Sequence, residues 1–182
     1  MLSKGIKMNT QDSLISRTII VIDKYGYEDL SLRRLTGTLG LTTGAFYKHF
    51  KNKNDLYEKV AIELSKNFVN SIPLHKGASA KQQLLIIANY FCKYVEQHSN
   101  LADFLFFNPV TLKVFSTKES KYDFLNKIGS LIHKLNRKSN ISDHEFFIQI
   151  WSFIQGYAAL IKNKIVKYDE TLVEKTLNEF LK

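Results

Sequence analysis

The sequence predicts an all-α fold, and three observations carry that prediction. Apolar residues recur three and four positions apart through almost the whole chain of 182 residues, the period of helices with one buried face. Only two prolines, Pro73 and Pro109, interrupt them, so helices can run long. Four of the eight glycines, Gly26, Gly37, Gly40 and Gly44, crowd into one short region, where tight turns between short helices need them. About nine helices and no strand are expected.

The first helix is read over Asp12–Tyr25, with Leu14, Ile15, Thr18, Ile19 and Ile22 on one face and Gly26 as its C-cap. Ser31 is placed as an N-cap, with Leu30 and Leu35 positioned as a hydrophobic staple. Helix two should run from Leu32 to Leu39 and stop at Gly40. Thr42 should cap a third short helix, Thr43 to Phe50. Beyond residue 53 the segments lengthen. Asn54–Ser71 is apolar at Leu56, Val60, Leu64 and Phe68. Ser79–Gln97 is apolar at Leu84, Ile87, Ala88, Phe91 and Val95. Leu101–Phe107 is short and strongly apolar, and Lys118–Arg137 is amphipathic. Ser142 should cap a long helix reaching about Asn163. A last helix spans Glu170–Leu181.

Hydrophobic residues make up 45% and charged residues 24% of the chain, which excludes wholesale disorder. A single cysteine, Cys92, excludes an internal disulfide and a Cys-only metal cage. The five histidines show no i, i+4 ligand spacing, so no metal and no cofactor is expected. No glycine-rich phosphate loop and no organised Ser-His-Asp pattern appears, so an enzyme is not expected. The N-terminus lacks the apolar stretch of a secretory signal, and no apolar run is long enough to span a bilayer. The expected setting is cytoplasmic, without membrane attachment. Net charge is +9 and the pI about 9.5, which favours an anionic partner such as nucleic acid. Residues 1–60 hold 10 Lys/Arg and 6 Asp/Glu, a net of +4, so charge supports DNA binding without locating it.

Ser31–Phe50 is two short helices joined by a tight turn, the pattern of a helix-turn-helix unit whose second helix can enter a DNA major groove. That helix opens on Thr42-Thr43-Gly44-Ala45. Small side chains there let the backbone approach DNA, and hydroxyls and the helix N-terminus suit phosphate. Leu41, Phe46 and Phe50 should face inward. Tyr47 and Lys48 should face outward, with Lys51 and Lys53 following. The competing reading is a plain helical hairpin with solvated lysines.

The string Tyr25-Gly26-Tyr27, Ser31-Leu32-Arg33-Arg34-Leu35, and Leu39-Gly40-Leu41-Thr42-Thr43-Gly44-Ala45-Phe46-Tyr47-Lys48-His49-Phe50-Lys51-Asn52-Lys53 resembles the DNA-binding domain of TetR-family transcriptional regulators, over about residues 10–60. The resemblance implies an all-α homodimer that binds double-stranded operator DNA through its N-terminal helices and a small effector through the larger remainder. It implies DNA contacts from Thr42, Thr43, Gly44, Tyr47, Lys48 and Lys53, and phosphate contacts from Ser31 and Arg33. Thr36 departs from the alanine usual in that family. Its hydroxyl is expected to bond back to the carbonyl of Leu32.

The expected organisation is a tail over 1–8, a helix-turn-helix domain over 9–54, and an effector-binding and dimerisation domain over 55–182. Aromatic residues crowd the last of these. Phe91, Tyr94, Phe104, Phe107, Tyr122, Phe147 and Trp151 are candidates for lining a site for an apolar or amphipathic effector, although a filled core would use the same residues. The helix after Ser142 is apolar nearly all round, so it needs two burial partners. A second subunit is the candidate partner, meeting Phe153, Gly156, Tyr157, Leu160, Val173 and Leu177. A repressor of this type is the expected function. An α-helical protein-interaction module that no longer reads DNA is the alternative.

Overall fold

The computed structural model describes residues 9–112, 123–136 and 140–181. The expected tail over 1–8 and the effector candidate Tyr122 lie outside the described residues. The fold is all-α, and the described residues contain no strand.

Local sequence explains where the helices begin. α1 (Thr10–Tyr25) is capped by Asn9, whose side chain accepts from the Asp12 N–H, and it buries Leu14, Thr18 and Ile22. It stops at Gly26, whose φ of +81° is a left-handed conformation that suits glycine. α2 (Leu32–Gly37) and α3 (Thr43–Tyr47) start at their expected caps, Ser31 and Thr42. Both are shorter than the sequence suggests. The turn between them closes early through Leu41 N–H to Thr36 O (2.9 Å), with Gly40 at φ +65°. After Tyr47, the N–H groups of His49 and Phe50 both bond to Phe46 O, which tightens the last turn.

The remaining helices build a bundle. α4 (Lys53–Ser71) is capped by Asn52, and α5 (Ala80–Gln97) by a reciprocal Ser79–Gln82 box. α6 (Ser99–Ala102) runs into a π-helical turn, Asp103–Phe107, and α7 (Pro109–Leu112) follows. α8 (Asp123–Leu135) and α9 (Asp143–Lys162) are antiparallel neighbours, and α9 carries a second capping box, Ser142–Glu145. α10 (Glu170–Phe180) is capped by Asp169.

α5 is the centre of the bundle, packed by α6, α8, α9 and α10. α4 reaches both ways, onto α1 at its start and onto α8 further along. The core is aromatic: Phe68, Phe91, Phe106, Phe124 and Trp151 meet at ring separations of 4.7–6.5 Å, many of them edge-on. Each fully buried ring contributes roughly 1.5–3 kcal/mol of transfer free energy, and a good ring pair about 0.5–1.5 kcal/mol more. Phe104 and Phe106 leave the π turn in different directions. Phe106 enters this cluster, whereas Phe104 packs on Tyr27 and Tyr57 beneath α2 and α3's end of the molecule. Among the described residues no helix is long and apolar enough to cross a membrane.

Candidate nucleic-acid interface

The helix-turn-helix is held from inside by two rings and a threonine. Phe46 and Phe50 are buried and stack at 5.3 Å, and Tyr47 meets Phe46 edge-on. Thr36 is buried, and its hydroxyl donates to Leu32 O (3.0 Å) as the sequence suggested, with Arg33 O also within reach at 3.3 Å. The extra hydroxyl is therefore satisfied inside its own helix.

With the inner face occupied, the outer face is polar and open. Ser31, Arg33, Thr42, Thr43, Gly44, Tyr47 and Lys48 are all exposed, and Tyr47 is 58% exposed despite its size. Ser31 Oγ accepts from the Arg34 N–H and Thr42 Oγ1 from the Ala45 N–H (3.2 Å). Each hydroxyl keeps its own proton to donate. A Cβ added at Gly44 would meet only Thr42 Oγ1, at 3.7 Å, so packing within this chain does not require a glycine there. Lys53 is half-buried. Its Nζ donates to Glu28 O (3.4 Å) and lies 5.3 Å from the Tyr57 ring, and Tyr57 donates its hydroxyl to Tyr27 O. Lys53 thus carries its charge at the α1–α2 loop, with other donors to spare. Reading the sequence left out Arg17, Lys24 and Arg34. Arg17 and Arg34 line a cleft with Ser31. The i, i+4, i+8 spacing of Arg17, Val21 and Tyr25 on α1 was the signal available.

The effector candidates separate. Phe91, Phe147 and Trp151 line one apolar slot between α5, α8 and α9, together with Leu84, Ile87 and Ile154. That slot holds only about 20 Å³, room for about one water. Tyr94 packs with Phe68, Tyr90 and His98, and burial pushes its phenol pKa up. Phe104 lies under Tyr27 and Tyr57. Phe107 sits beneath Lys162, which is ion-paired with Asp103.

The dimer candidates separate too. Gly156 and Leu160 are exposed and Phe153 half-buried, and among the described residues nothing beyond the helix's own adjacent backbone comes within 4 Å of a Cβ built on Gly156. Tyr157 is buried, donating its hydroxyl to Lys167 O and accepting from the Asp169 N–H. Val173 and Leu177 are fully buried in the chain's own core. Their neighbours Leu172 and Phe180 are the apolar side chains that α10 exposes, at 43% and 38%.

A helix-turn-helix whose second helix presents a small-residue first turn, with a tyrosine and a lysine on the same open face, belongs to the class of DNA-binding proteins. Residues 14–60 match the family described as bacterial regulatory proteins, tetR family. The Transposon Tn10 TetC protein of Escherichia coli is 25% identical over 141 residues, covering 75% of this chain and 71% of that one. Among solved structures, BioQ with its double-stranded DNA operator superposes with a TM-score of 0.69 at 17% identity, over 96% of this chain and 98% of that one. FadR from Bacillus subtilis in complex with stearoyl-CoA gives 0.62 at 19%, over 93% and 96%. Residues 14–60 thus carry a DNA-binding domain of the tetR family, and the matches together support a DNA-binding transcriptional regulator of the TetR type.

Proposed function

We propose that the chain is a repressor that binds a palindromic operator as a homodimer and is released by a small apolar or amphipathic effector, within the cytoplasm. Its DNA-binding unit is residues 9–54 and its effector and dimer unit 55–182. The observation that carries the DNA half is the open face of α3. Phe46 and Phe50 bury the helix's other side, so Thr42, Thr43, Gly44, Tyr47 and Lys48 are free for DNA. Ser31, Arg33 and Lys53 add contacts at the ends of α2 and α4. Phe153, Gly156 and Leu160 of α9, with Leu172 and Phe180 beside them, form the dimer face. Val173 and Leu177 support it from beneath.

The effector site is the apolar slot of Phe91, Phe147 and Trp151. Its all-apolar lining suits a hydrocarbon chain or ring system, in keeping with the acyl-CoA held by the Bacillus subtilis FadR structure. At about 20 Å³ the slot is too small for an effector, which has to part α5 from α8 and α9. That supplies the differential binding release requires, since a ligand shifts only an equilibrium whose two states it binds unequally. α4 carries the change, with Tyr57 at the DNA-binding end and Phe68 in the aromatic core.

Tyr47→Ala with Lys48→Ala tests the DNA half. Binding to the DNA upstream of the gene and to a mixed-sequence duplex should weaken together, with a smaller salt slope, because phosphate contacts position a protein without reading sequence. Unchanged affinity and slope would remove both residues from the interface.

A further inference from the structure

A second basic feature lies beside the helix-turn-helix. Arg17, Val21 and Tyr25 follow one another at single-turn spacing along α1, and face Ser31, Arg34 and Thr38 across a cleft of about 470 Å³. Eight residues of helix span about 12 Å, enough for two or three consecutive phosphates of one strand. Arg17 Nε donates to Thr38 Oγ1 (3.1 Å), which fixes the guanidinium over the cleft and leaves four of its five N–H donors unspent. Among the described residues neither Arg17 nor Arg34 has a carboxylate within ion-pairing distance. Lys24 Nζ lies 5.0 Å from the Tyr25 ring. Its hydrogen bond and then its charge, with smaller contributions from Arg34 and Arg17, hold the Tyr25 phenol below its ordinary pKa. Tyr25 is 59% exposed, an open position for a large ring unless something covers it. Asp29 is the one carboxylate in the lining.

We propose that the α1–α2 cleft, held open by the Arg17–Thr38 bond and walled by Arg17 and Arg34 with the Tyr25 hydroxyl at its rim, is a clamp for the DNA backbone flanking the segment that α3 reads. The proposal rests on the DNA-binding reading above and extends it to residues for which the resemblance implies no DNA contact. Its continuity with the α3 surface comes from Ser31, which caps α2 and also lines the cleft. Arg33 and Arg34 are adjacent on α2 and so point about 100° apart. Arg33 serves the recognition side, and Arg34 serves the α1 side. A clamp of this kind adds affinity and register but no base discrimination. It also makes the operator contact longer than α3 alone provides.

The test uses the full chain, a duplex carrying the DNA upstream of the gene, and a mixed-sequence duplex of equal length, titrated between low and moderate salt. Arg17→Gln with Arg34→Gln should lower the log–log salt slope by about 1–2 on both duplexes, since each neutralised phosphate contributes about 0.9. The ratio of the two affinities should be unchanged. Asp29→Asn should tighten binding to both duplexes, an effect that a merely structural role for the cleft would not produce. Thr38→Val, which removes the Arg17 bond but no charge, should leave most of the salt slope in place. If the double variant binds both duplexes with the wild-type slope, the clamp is overturned and the DNA reading stands. A wild-type protein that binds neither duplex overturns both.

Discussion

At Gly44 the chain's own packing and its proposed partner make opposite demands. A methyl group fits there, with its nearest neighbour at 3.7 Å, and alanine is the better helix former by up to about 1 kcal/mol. Gly44→Ala should therefore keep or raise the melting temperature while weakening DNA binding on the order of tenfold, because the added carbon stands where the backbone meets DNA. Melting and binding measured on one preparation separate the two effects. Undiminished binding would show that nothing approaches this turn closely. Around Gly44 the sequence was highly legible. Caps, inward rings and outward polar groups repeat at local spacing, so Ser31, Thr42, Phe46, Phe50 and the Thr36–Leu32 bond could all be read before any fold was known. Lys53 was less so. Its bond to Glu28 O links residues 25 apart, a separation that no local pattern encodes.

Among the elements, α9 is secured at its start by charge. The Ser142 hydroxyl and N–H donate to Glu145 Oε2, and Asp143 accepts from Asn136 Nδ2 (2.8 Å) and meets His133 Nδ1 (2.8 Å). Bonds from Ser142 hold Glu145 below its ordinary pKa, and bonds first from Asn136 and then from His133 do the same for Asp143. A carboxylate with a lowered folded-state pKa stabilises the fold above its ordinary value. That stability is lost as pH falls through the lowered one. Thermal stability should therefore drop as pH falls below about 4, and Asp143→Asn should flatten that drop while costing stability at neutral pH. An unaltered acid limb would contradict the assignment. Ser142 as a cap was visible in the sequence, but the Asn136 and His133 partners on α8 were not, because they arrive through tertiary packing. The π turn shows the same limit. Phe104 and Phe106 look alike in sequence, yet one joins Tyr27 and Tyr57 and the other the core of Phe68, Phe91 and Trp151. Periodicity marks a ring as buried without saying against which neighbours.

At the scale of the molecule, the described residues leave apolar side chains of α9 and α10 open. Gly156 and Leu160 on α9 and Leu172 and Phe180 on α10 are exposed, while Val173 and Leu177 on the same broad face of α10 fill the core. The sequence showed that α9 is apolar nearly all round, but it could not say which α10 residues turn outward, because Leu172, Val173, Leu177 and Phe180 share one broad face of that helix. Gly156→Arg places a long charged side chain on the proposed dimer face, where there is room for it in the single chain. It should leave the melting of the monomer fold nearly unchanged, convert a dimer to a monomer in sedimentation at micromolar concentration, and weaken operator binding by at least tenfold. A wild type that sediments as a monomer under those conditions would contradict the dimer.

Two copies of the α3 face should read one piece of DNA together, and hydroxyl-radical footprinting of the DNA upstream of the gene would show it. Two protected patches are expected on one face of the duplex, related by approximate two-fold symmetry, with centres separated by about one helical turn, roughly 10 base pairs, or slightly more. The Tyr47→Ala, Lys48→Ala variant should weaken both patches together. A single unpaired patch would contradict the paired reading, and no protection at low salt would contradict DNA recognition by this chain.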